Sequence, residues 1–298
     1  MQKTTLNPHY LMLLTIALIA TSFPVGAAIT NALPPAVMMF IRFLFAAVLF
    51  APYIFIKHGF YLPPKRSLVY YAILSLSSVI FFWCMFESLR YTSMLNTGAL
   101  YTLVPAITAV YAFFINGEVT SRMRYFGLLL GTLGALWIVF KGDYAAFIGL
   151  ELNYGDLIFI IGCLSMALYT PLVKKFHRGE PTEIMSFWVI ILGAVWLLIA
   201  SGASLSSVEW NLISVKTYSG ILYLAFFTTL ISFFLLQLCI MKIGATKVAA
   251  YNFLTPIFVI MISVVLENEF ELITLPGIIL VIVAMLIIQY ESSQKETV

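Results

Sequence analysis

The sequence predicts an all-α membrane protein of ten transmembrane helices, arranged as two inverted five-helix repeats with both termini in the cytoplasm. The first observation behind this prediction is composition, since 62% of the 298 residues are hydrophobic and 10% are charged. An average soluble domain is about 25% charged. With a mean hydropathy of +1.03, the chain has too little polar surface to stay dispersed in water. It is typical of an integral membrane protein.

The second observation is a series of apolar runs separated by short loops, each near the roughly 20 residues that cross a bilayer as a helix. The first run is expected to be a membrane helix and not a cleavable signal peptide. A single lysine precedes it, no A-x-A site ends it, and nine more runs follow. The predicted spans are 10–29, 35–56, 68–89, 93–115, 124–141, 155–173, 183–201, 218–240, 245–266 and 273–290.

Loop charges predict the orientation of these spans. If the N-terminus is cytoplasmic, the inner loops and tails hold twelve lysines and arginines, whereas the outer loops hold three. This is a positive-inside bias, and the even number of spans agrees with both termini being inside. The inner residues are Lys3, Lys57, Lys65, Arg66, Arg122, Arg124, Lys174, Lys175, Arg178, Lys242, Lys247 and Lys295, and the outer ones are Arg90, Lys141 and Lys216.

The third observation is an internal repeat marked by two prolines. The segment LYTLVPAITAVYAFFINGE contains Pro105 and Glu118, and it aligns 151 positions later with YNFLTPIFVIMISVVLENE, which contains Pro256 and Glu269. A proline inside a helix removes a backbone hydrogen bond and is costly. Its recurrence at one position in both halves therefore indicates a repeat. We expect the two prolines to face each other across the membrane midplane.

Further pairs extend the repeat along the chain. Five helices per half is an odd number, so the second half enters the membrane from the opposite side, a common build among secondary transporters. The predicted units are residues 1–142, residues 155–290 and a cytoplasmic tail, 291–298. The pairs are Pro24 with Pro171 and Pro34 with Pro181 at a shift of 147, and Ser77 with Thr228 and Ser78 with Thr229 at a shift of 151.

Both halves resemble the EamA-type drug/metabolite transporters, which carry two EamA repeats of five helices. In the first half the resemblance rests on PPAVMMFIRFLFAAVLF, VPAITAVYAFFINGE and FGLLLGTLGALWIVF, and in the second on TPIFVIMISVVLENE and PGIILVIVAMLI. The second half departs from the pattern where it lacks an arginine equivalent to Arg42 and glycines equivalent to Gly131 and Gly134. The resemblance covers nearly the whole chain and implies transport of amino acids or related metabolites, often as export.

The patterns of an enzyme are missing from the sequence. It contains no H-E-x-x-H, no G-x-S-x-G and no P-loop, and no C-x-x-C pairs its three cysteines, which lie inside apolar runs. The net charge of +3 is scattered through short loops, which is no nucleic-acid signal. We therefore expect no catalytic residues, no metal, no cofactor and no nucleic-acid partner. The histidines, His9, His58 and His177, fall in predicted cytoplasmic loops or tails.

Of the charged residues in the predicted spans, Arg42 and Glu87 are the two candidates for intramembrane charge. Intramembrane charge is costly and often functional. Their similar depths allow an ion pair between helices 2 and 3, with a role in gating or substrate contact. The alternative is that Arg42 extends to the outer face and Glu87 pairs with Arg90, three residues on.

Glu118 and Glu269 end helices 4 and 9 at opposite membrane faces. The helix dipole disfavours a carboxylate at a C-terminus, so its recurrence predicts a specific partner, such as a basic residue or exposed amides in a neighbouring loop. The contact would be a structural tether or part of a gate.

Midplane polar groups are the candidates for substrate contacts, because a site in such a fold is expected near the bilayer centre between the repeats. The central prolines free carbonyl groups at that level. Hydroxyls in membrane helices also commonly bond the carbonyl four residues back or a neighbouring helix. The candidates are Ser77, Ser78, Tyr101, Pro105, Thr228, Thr229, Asn252 and Pro256.

Aromatic and small residues allow two further interpretations. Trp83, Tyr169 and Tyr223 could wall a cavity for an amphipathic solute, although most aromatic side chains of a membrane protein face lipid or the interfaces. The Gly127, Gly131 and Gly134 series gives helix 5 a small face, which more often means close packing within a subunit than a dimer interface.

Together these observations predict a secondary transporter that moves a small polar or amphipathic metabolite by alternating access in a bacterial inner membrane. Glu87 is the carboxylate taken as a candidate for intramembrane charge, and its position near the outer end of its span favours uniport or exchange over proton coupling. A carrier of nucleotide-linked or cationic metabolites, such as S-adenosylmethionine, and a non-transporting receptor or scaffold are the alternatives. An organellar membrane and either a monomer or a homodimer also remain open.

Overall fold

The computed structural model describes residues 7–92, 94–119, 121–149, 152–267 and 272–290. All regular structure in these residues is helical, so the all-α prediction is confirmed. The first half contains α1 (Pro8–Ile29), α2 (Pro35–His58), α3 (Lys65–Ser88), α4 (Met94–Tyr101), α5 (Val104–Asn116) and α6 (Arg122–Val139), followed by the short α7 (Tyr144–Ile148). The second half contains α8 (Tyr154–Phe176), α9 (Thr182–Ser206), α10 (Val215–Ala225), α11 (Ser232–Ile243), α12 (Ala245–Ala250), α13 (Thr255–Glu267) and α14 (Leu275–Tyr290).

Nine stretches of the described chain are helical, long and apolar enough to cross a membrane, which makes this a multi-pass membrane protein. They match nine of the ten predicted spans. The nine are Pro8–Gly26, Pro35–His58, Lys65–Ser88, Asn96–Asn116, Tyr154–Phe176, Thr182–Gly202, Val215–Ile243, Ala245–Ile262 and Leu272–Gln289.

The predicted fifth span forms α6, but Arg122 and Arg124 in its first turn make this 18-residue helix less apolar than the other nine. Its packing is nevertheless that of a bundle helix, since α6 and α14 form the most extensive helix contact among the described residues. Backbone meets backbone there, because a Cβ atom built on Gly134 would lie 2.8 Å from the Gly277 carbonyl oxygen. Gly131 similarly meets the ring of Phe253. The small face of α6 is therefore used within the chain.

The two central prolines begin helices instead of bending them. A turn at residues 102–103 separates α4 from α5, and Pro105 is the second residue of α5. A 3-10 segment, Tyr251–Leu254, separates α12 from α13, and Pro256 is the second residue of α13. Proline fits the first turn of a helix because its missing N–H would have no helical partner there. Each half thus contains one helix broken at the same place.

A π-helical segment, Phe226–Ile231, joins α10 to α11 and has no counterpart in α3. A π segment admits one extra residue into a helical turn and often marks a functional site. The sequence did not predict it.

Helix contacts recur between the halves. Helix α3 packs on α8, and α11 packs on α1; α5 packs on α8, and α13 packs on α1; α2 packs on α10, and α9 packs on α3. In each of these three pairs, replacing both helices of one contact by their equivalents in the other half gives the second contact.

Both ends of the described chain lie at one end of the bundle, which we call the basic end because Lys57, Lys174 and Lys247 lie there. His9, at the start of α1, approaches Tyr251 with 2.6 Å between Nδ1 and the phenolic oxygen. Gln289, near the end of α14, donates to the Lys247 carbonyl at 3.3 Å. Helix α1 therefore begins at this end, where α8 finishes.

Candidate functional site

Arg42 is the one charged side chain buried in the middle of a described membrane helix, with 2% of its surface exposed. Its Nε donates to the Thr229 hydroxyl at 2.6 Å. Its Nη2 donates to the Thr228 carbonyl at 3.1 Å and to the Thr228 hydroxyl at 3.0 Å. Thr228 and Thr229, two predicted substrate residues of the second half, are thereby joined to Arg42 of the first half.

The predicted ion pair between Arg42 and Glu87 is wrong. Glu87 instead approaches Arg90, with 3.6 Å between its Oε2 and the Nη1 of Arg90, and it also accepts from Tyr91 at 3.5 Å. Arg42 turns into the bundle and not outward along α2. The two side chains point into different surroundings, so similar depth along α2 and α3 did not mean proximity.

The π segment presents the acceptors for Arg42. The Thr228 carbonyl also accepts from the Ser232 hydroxyl at 2.7 Å, while the N–H of Ser232 bonds the Thr229 carbonyl. The Thr228 hydroxyl donates to the Leu224 carbonyl at 3.0 Å, which turns its lone pairs toward the guanidinium. The irregular backbone thus concentrates acceptors beside a buried cation.

Aromatic rings surround the guanidinium. Its Cζ lies 4.8 Å from the centroid of the Phe82 ring, a favourable cation–π distance. Phe82 and Phe43 both contact Phe233 of α11, and Phe233 meets Tyr169 of α8 at 5.9 Å. The rings form one continuous cluster from α2 and α3 into the second half.

Tyr169 belongs to a buried polar chain at the far side of this cluster. Its hydroxyl accepts from Gln237 Nε2 at 2.8 Å, and Gln237 Oε1 accepts from Ser186 at 2.6 Å. All three side chains are fully buried. Gln237 and Ser186 were missed, although a lone glutamine in the apolar run SFFLLQLCIMKI was a usable signal, because a buried amide needs partners.

Ser77 and Ser78 lie at another interface. Ser77 donates to the Ser165 carbonyl at 2.5 Å and Ser165 donates back to the Ser77 carbonyl at 2.9 Å, which ties α3 to α8. Ser78 bonds the Ser75 carbonyl of its own helix. These contacts match the alternative of helix packing, and substrate contact by either serine stays a prediction.

The remaining candidates are dispersed. The main contacts of α5 are with α8 and α12 and those of α13 are with α1, so the predicted meeting of Pro105 and Pro256 gains no support. Tyr101 packs near Phe81, and Asn252 is half-buried in the 3-10 segment. Trp83 is 40% exposed on the outside of α3 and Tyr223 donates to Thr21 at 2.8 Å.

Glu118 has the basic partner that its position predicts. Its Oε1 lies 2.7 Å from Lys174 Nζ at the end of α8, and its Oε2 accepts from Thr246 at the start of α12. One carboxylate thus links α5 to two helices of the second half at the basic end. The equivalent Glu269 lies outside the described residues.

Two more acidic residues link the halves at this end. Glu183 of α9 lies 2.6 Å from Lys57 Nζ and 3.1 Å from His58 Nε2, both of α2. Glu180, which precedes α9, accepts from the Tyr71 hydroxyl of α3 at 2.6 Å. The basic end is therefore closed by several contacts between first-half and second-half helices.

The opposite end holds a buried carboxylate, Asp156, that is not among the residues predicted from the sequence. Asp156, in the first turn of α8, is fully buried and accepts from Thr92 at 2.6 Å, from Asn96 at 3.0 Å and from the N–H of Asn153 at 2.9 Å. The Asn153 side chain caps the helix in return. The N-x-x-D pattern before an apolar run is a capping signal that could have been read.

Also at the opposite end, a cavity of about 360 Å³ lies between the α1–α2 and α9–α10 connections. A second cavity, of about 340 Å³ and almost wholly apolar, lies between α13 and α14. The first is lined by Ala32, Leu33, Pro34, Ser207, Val208, Glu209, Leu212, Ile213, Ser214 and Thr217, and none of these is a predicted substrate residue.

Comparison with known proteins finds relatives along the whole chain. A family model described as the EamA-like transporter family matches residues 7–140 and 153–290. The uncharacterized transporter YetK of Bacillus subtilis (strain 168) is 23% identical over 99% of this chain and 90% of its own length. An uncharacterized transporter of Archaeoglobus fulgidus is 26% identical over 88% and 89%. One solved crystal structure aligns with 97% of this chain and 98% of its own at 17% identity, with a TM-score of 0.79, and supports the fold alone.

Proposed function

Because the chain belongs to the EamA-like transporter family, we propose that it is a secondary transporter of a small polar or amphipathic metabolite. An amino acid or related compound, moved outward through a bacterial inner membrane, is the substrate class that we propose. The observation that carries the proposal is the family match over two successive segments, 7–140 and 153–290, because it includes every helix that surrounds Arg42.

Alternating access is supported by the way the halves are built. A helix of one half begins at the basic end where its equivalent in the other half finishes, as α1 and α8 do. The reciprocal helix contacts between the halves support a two-fold repeat, and we propose that it is an inverted one, in which rocking of one half against the other exposes a central site to each side in turn.

The structure is consistent with the state closed at the basic end. Ion pairs of Glu118 and Glu183 join the halves there, whereas a cavity opens at the opposite end. The positive-inside rule places the basic end in the cytoplasm. The cavity would then face outward.

The test is solute counterflow in proteoliposomes that contain the purified protein. Vesicles are loaded with one unlabelled amino acid at a time and then given the labelled form outside. We expect transient accumulation with at least one solute and none in protein-free vesicles. Absence of counterflow across amino acids, other carboxylates, neutral solutes and cations would contradict the proposal.

Energy coupling by exchange or uniport is the second part of the proposal. Asp156 is buried near the opposite end, but its oxygens already accept three hydrogen bonds that tie the start of α8 to neighbouring residues, so it suits a structural role. Counterflow should therefore persist when a protonophore collapses the pH gradient. Its loss would show proton coupling instead.

A further inference from the structure

We infer that Arg42 is the binding group for a carboxylate on the transported solute, with the Nη1 amino group as its open donor. The inference rests on the proposed transport function and specifies the chemistry of its substrate. The apolar surroundings of the guanidinium add that the solute carries a hydrophobic portion beside the carboxylate.

The positive charge of Arg42 has no negative partner among the described residues. Every described partner of Arg42 is neutral: the hydroxyls and carbonyl of Thr228 and Thr229, the Met39 sulfur and the Phe82 ring. A fully buried cation without an anion is costly in a membrane protein and marks a functional site by default. A carboxylate from the solute would supply the missing negative charge.

The guanidinium of Arg42 also keeps two N–H bonds for which the described partner is weak. A guanidinium has five N–H bonds, and three of those on Arg42 reach oxygen atoms of Thr228 and Thr229. The two on Nη1 have as their described partner the thioether sulfur of Met39 at 3.9 Å, which is a weak acceptor. A carboxylate oxygen would form a charge-assisted bond of about 2.8 Å at this position.

The solute would reach Arg42 from the opposite end of the bundle. The cavity at the opposite end is lined by Pro34, just before α2, and by Thr217 of α10. Helices α2 and α10 pack against each other. Arg42 lies seven residues after Pro35 and Thr228 eleven residues after Thr217, so the contact between them is roughly 10–16 Å below the cavity along the two helices. A solute entering between α2 and α10 would meet Arg42 next.

The aromatic surroundings of Arg42 select the rest of the solute. Phe82 lies against the guanidinium, and Phe43 and Phe233 complete an aromatic cluster. Aromatic rings offer apolar contact area and no further hydrogen-bonding groups. The matching solutes are therefore carboxylates with an aliphatic or aromatic side, and not sugars or polyanions.

The experiment measures thermal stabilisation of the purified full-length protein by matched pairs of solutes. The pairs are phenylalanine and phenylalaninamide, leucine and leucinamide, and phenylacetate and phenylacetamide. A ligand raises the melting temperature when it binds the folded state. We expect at least one carboxylate to raise the melting temperature. The matching amide at equal concentration should cause a shift at least tenfold smaller.

Two variants separate binding from folding. In Arg42→Gln, the shift caused by the carboxylate should disappear, whereas the exposed-surface control Arg122→Gln should keep it. Met39→Glu places a carboxylate three residues before Arg42 on the same buried helix face. This variant should be at least as stable as the parent without solute, yet lose the carboxylate-dependent shift.

Four outcomes would overturn the inference. They are equal stabilisation by acids and amides, a shift that survives in Arg42→Gln, a shift that survives in a folded Met39→Glu variant, and stabilisation by neutral or cationic solutes alone. Under each of these four outcomes the transport proposal stands, because a solute still binds the protein. Absence of stabilisation and of counterflow for solutes of every charge class counts against the transport proposal and this inference together.

Discussion

The proline in α8 leaves one carbonyl group without its helical donor, and Thr108 of α5 takes that place. Pro171 has no N–H, so the carbonyl of Ala167, four residues earlier, receives no backbone bond. The Thr108 hydroxyl donates to it at 3.2 Å in a fully buried position. At shifts of 147 and 151, the equivalent residues are Ala20 and Val259, and valine cannot donate. The two halves therefore differ by one interhelical hydrogen bond.

Thr108→Val is expected to destabilise the protein by about 1–3 kcal/mol, because it leaves the buried Ala167 carbonyl without a donor. The readout is the unfolding free energy or melting temperature in detergent. Thr15→Val is the matched control, since the Thr15 hydroxyl bonds the Leu11 carbonyl within its own helix and that carbonyl keeps its backbone donor. Adding Pro171→Ala should restore a helical N–H, so the double variant should lose less stability than Thr108→Val alone. An equal loss of stability in the single and the double variant would contradict the explanation.

The buried charge of Arg42 could be predicted from the sequence, but its partner could not. An arginine inside an apolar run is visible in any hydropathy reading. Its contact with Thr228 and Thr229 depends on the π segment, which changes the direction of the side chains within one turn of the α10–α11 helix. No residue in FFTTLI requires a π turn, so the sequence left Glu87 as the nearest apparent counter-charge.

At the scale of elements, Glu118 connects the end of α5 to α8 and α12. Partly exposed ion pairs contribute at most about 1 kcal/mol to stability, so this contact matters more for the relative position of the helices. It joins the halves at the basic end, where the proposed transport cycle requires them to separate.

Glu118→Gln is accordingly expected to change the melting temperature little and to open the α5–α8 contact from the basic end. The readout is the rate at which a thiol reagent labels Ala167→Cys, a buried position on α8, in inside-out vesicles. Labelling should be several-fold faster than in the parent. The charge swap Glu118→Lys with Lys174→Glu should slow it again, and unchanged labelling in Glu118→Gln would mean that the pair is no gate.

The contact between α6 and α14 gives a second prediction at this scale. A methyl group on Gly134 would lie 2.8–2.9 Å from backbone atoms of Gly277 and Val281, which cannot move aside as a flexible side chain can. Gly134→Ala should therefore cost about 1–3 kcal/mol through overpacking, measured by thermal unfolding. Gly26→Ala is the control, because its nearest neighbour would be a ring atom of Phe86 at 3.8 Å. Equal melting temperatures for both variants would contradict the close packing.

The broken helices show what the repeat could and could not predict. Paired prolines at 105 and 256 indicated equivalent positions in the two halves, and the structure breaks a helix near both of them. The prolines lie at the start of new helices and not inside continuous ones, since α5 and α13 each begin one residue before the proline. The predicted approach of the two prolines finds no support, because a constant shift in sequence does not determine which helices pack against each other.

For the whole molecule, the count of membrane crossings depends on α6. The positions of His9 and Gln289 at the basic end call for an even number of crossings, whereas nine helices of the described ranges satisfy length and hydropathy together. If α6 also crosses, its two arginines lie at the cytoplasmic face, which agrees with the positive-inside rule. Ten crossings then reconcile the packing, the chain ends and the loop charges.

Single cysteines on either side of α6 test this count. In a background whose three buried native cysteines are replaced by serine or alanine, Ser121→Cys and Lys141→Cys should react with an impermeant maleimide from opposite sides of the membrane. Lys57→Cys and Lys216→Cys mark the two sides, since both positions are exposed and lie at opposite ends of the bundle. If α6 crosses, Ser121→Cys should be labelled from the same side of the membrane as Lys57→Cys. Lys141→Cys should be labelled from the same side as Lys216→Cys. Labelling of both α6 positions from one side would mean that α6 does not cross. The first half would then contain four crossings, an even number, and the inverted five-helix repeat would lose its basis.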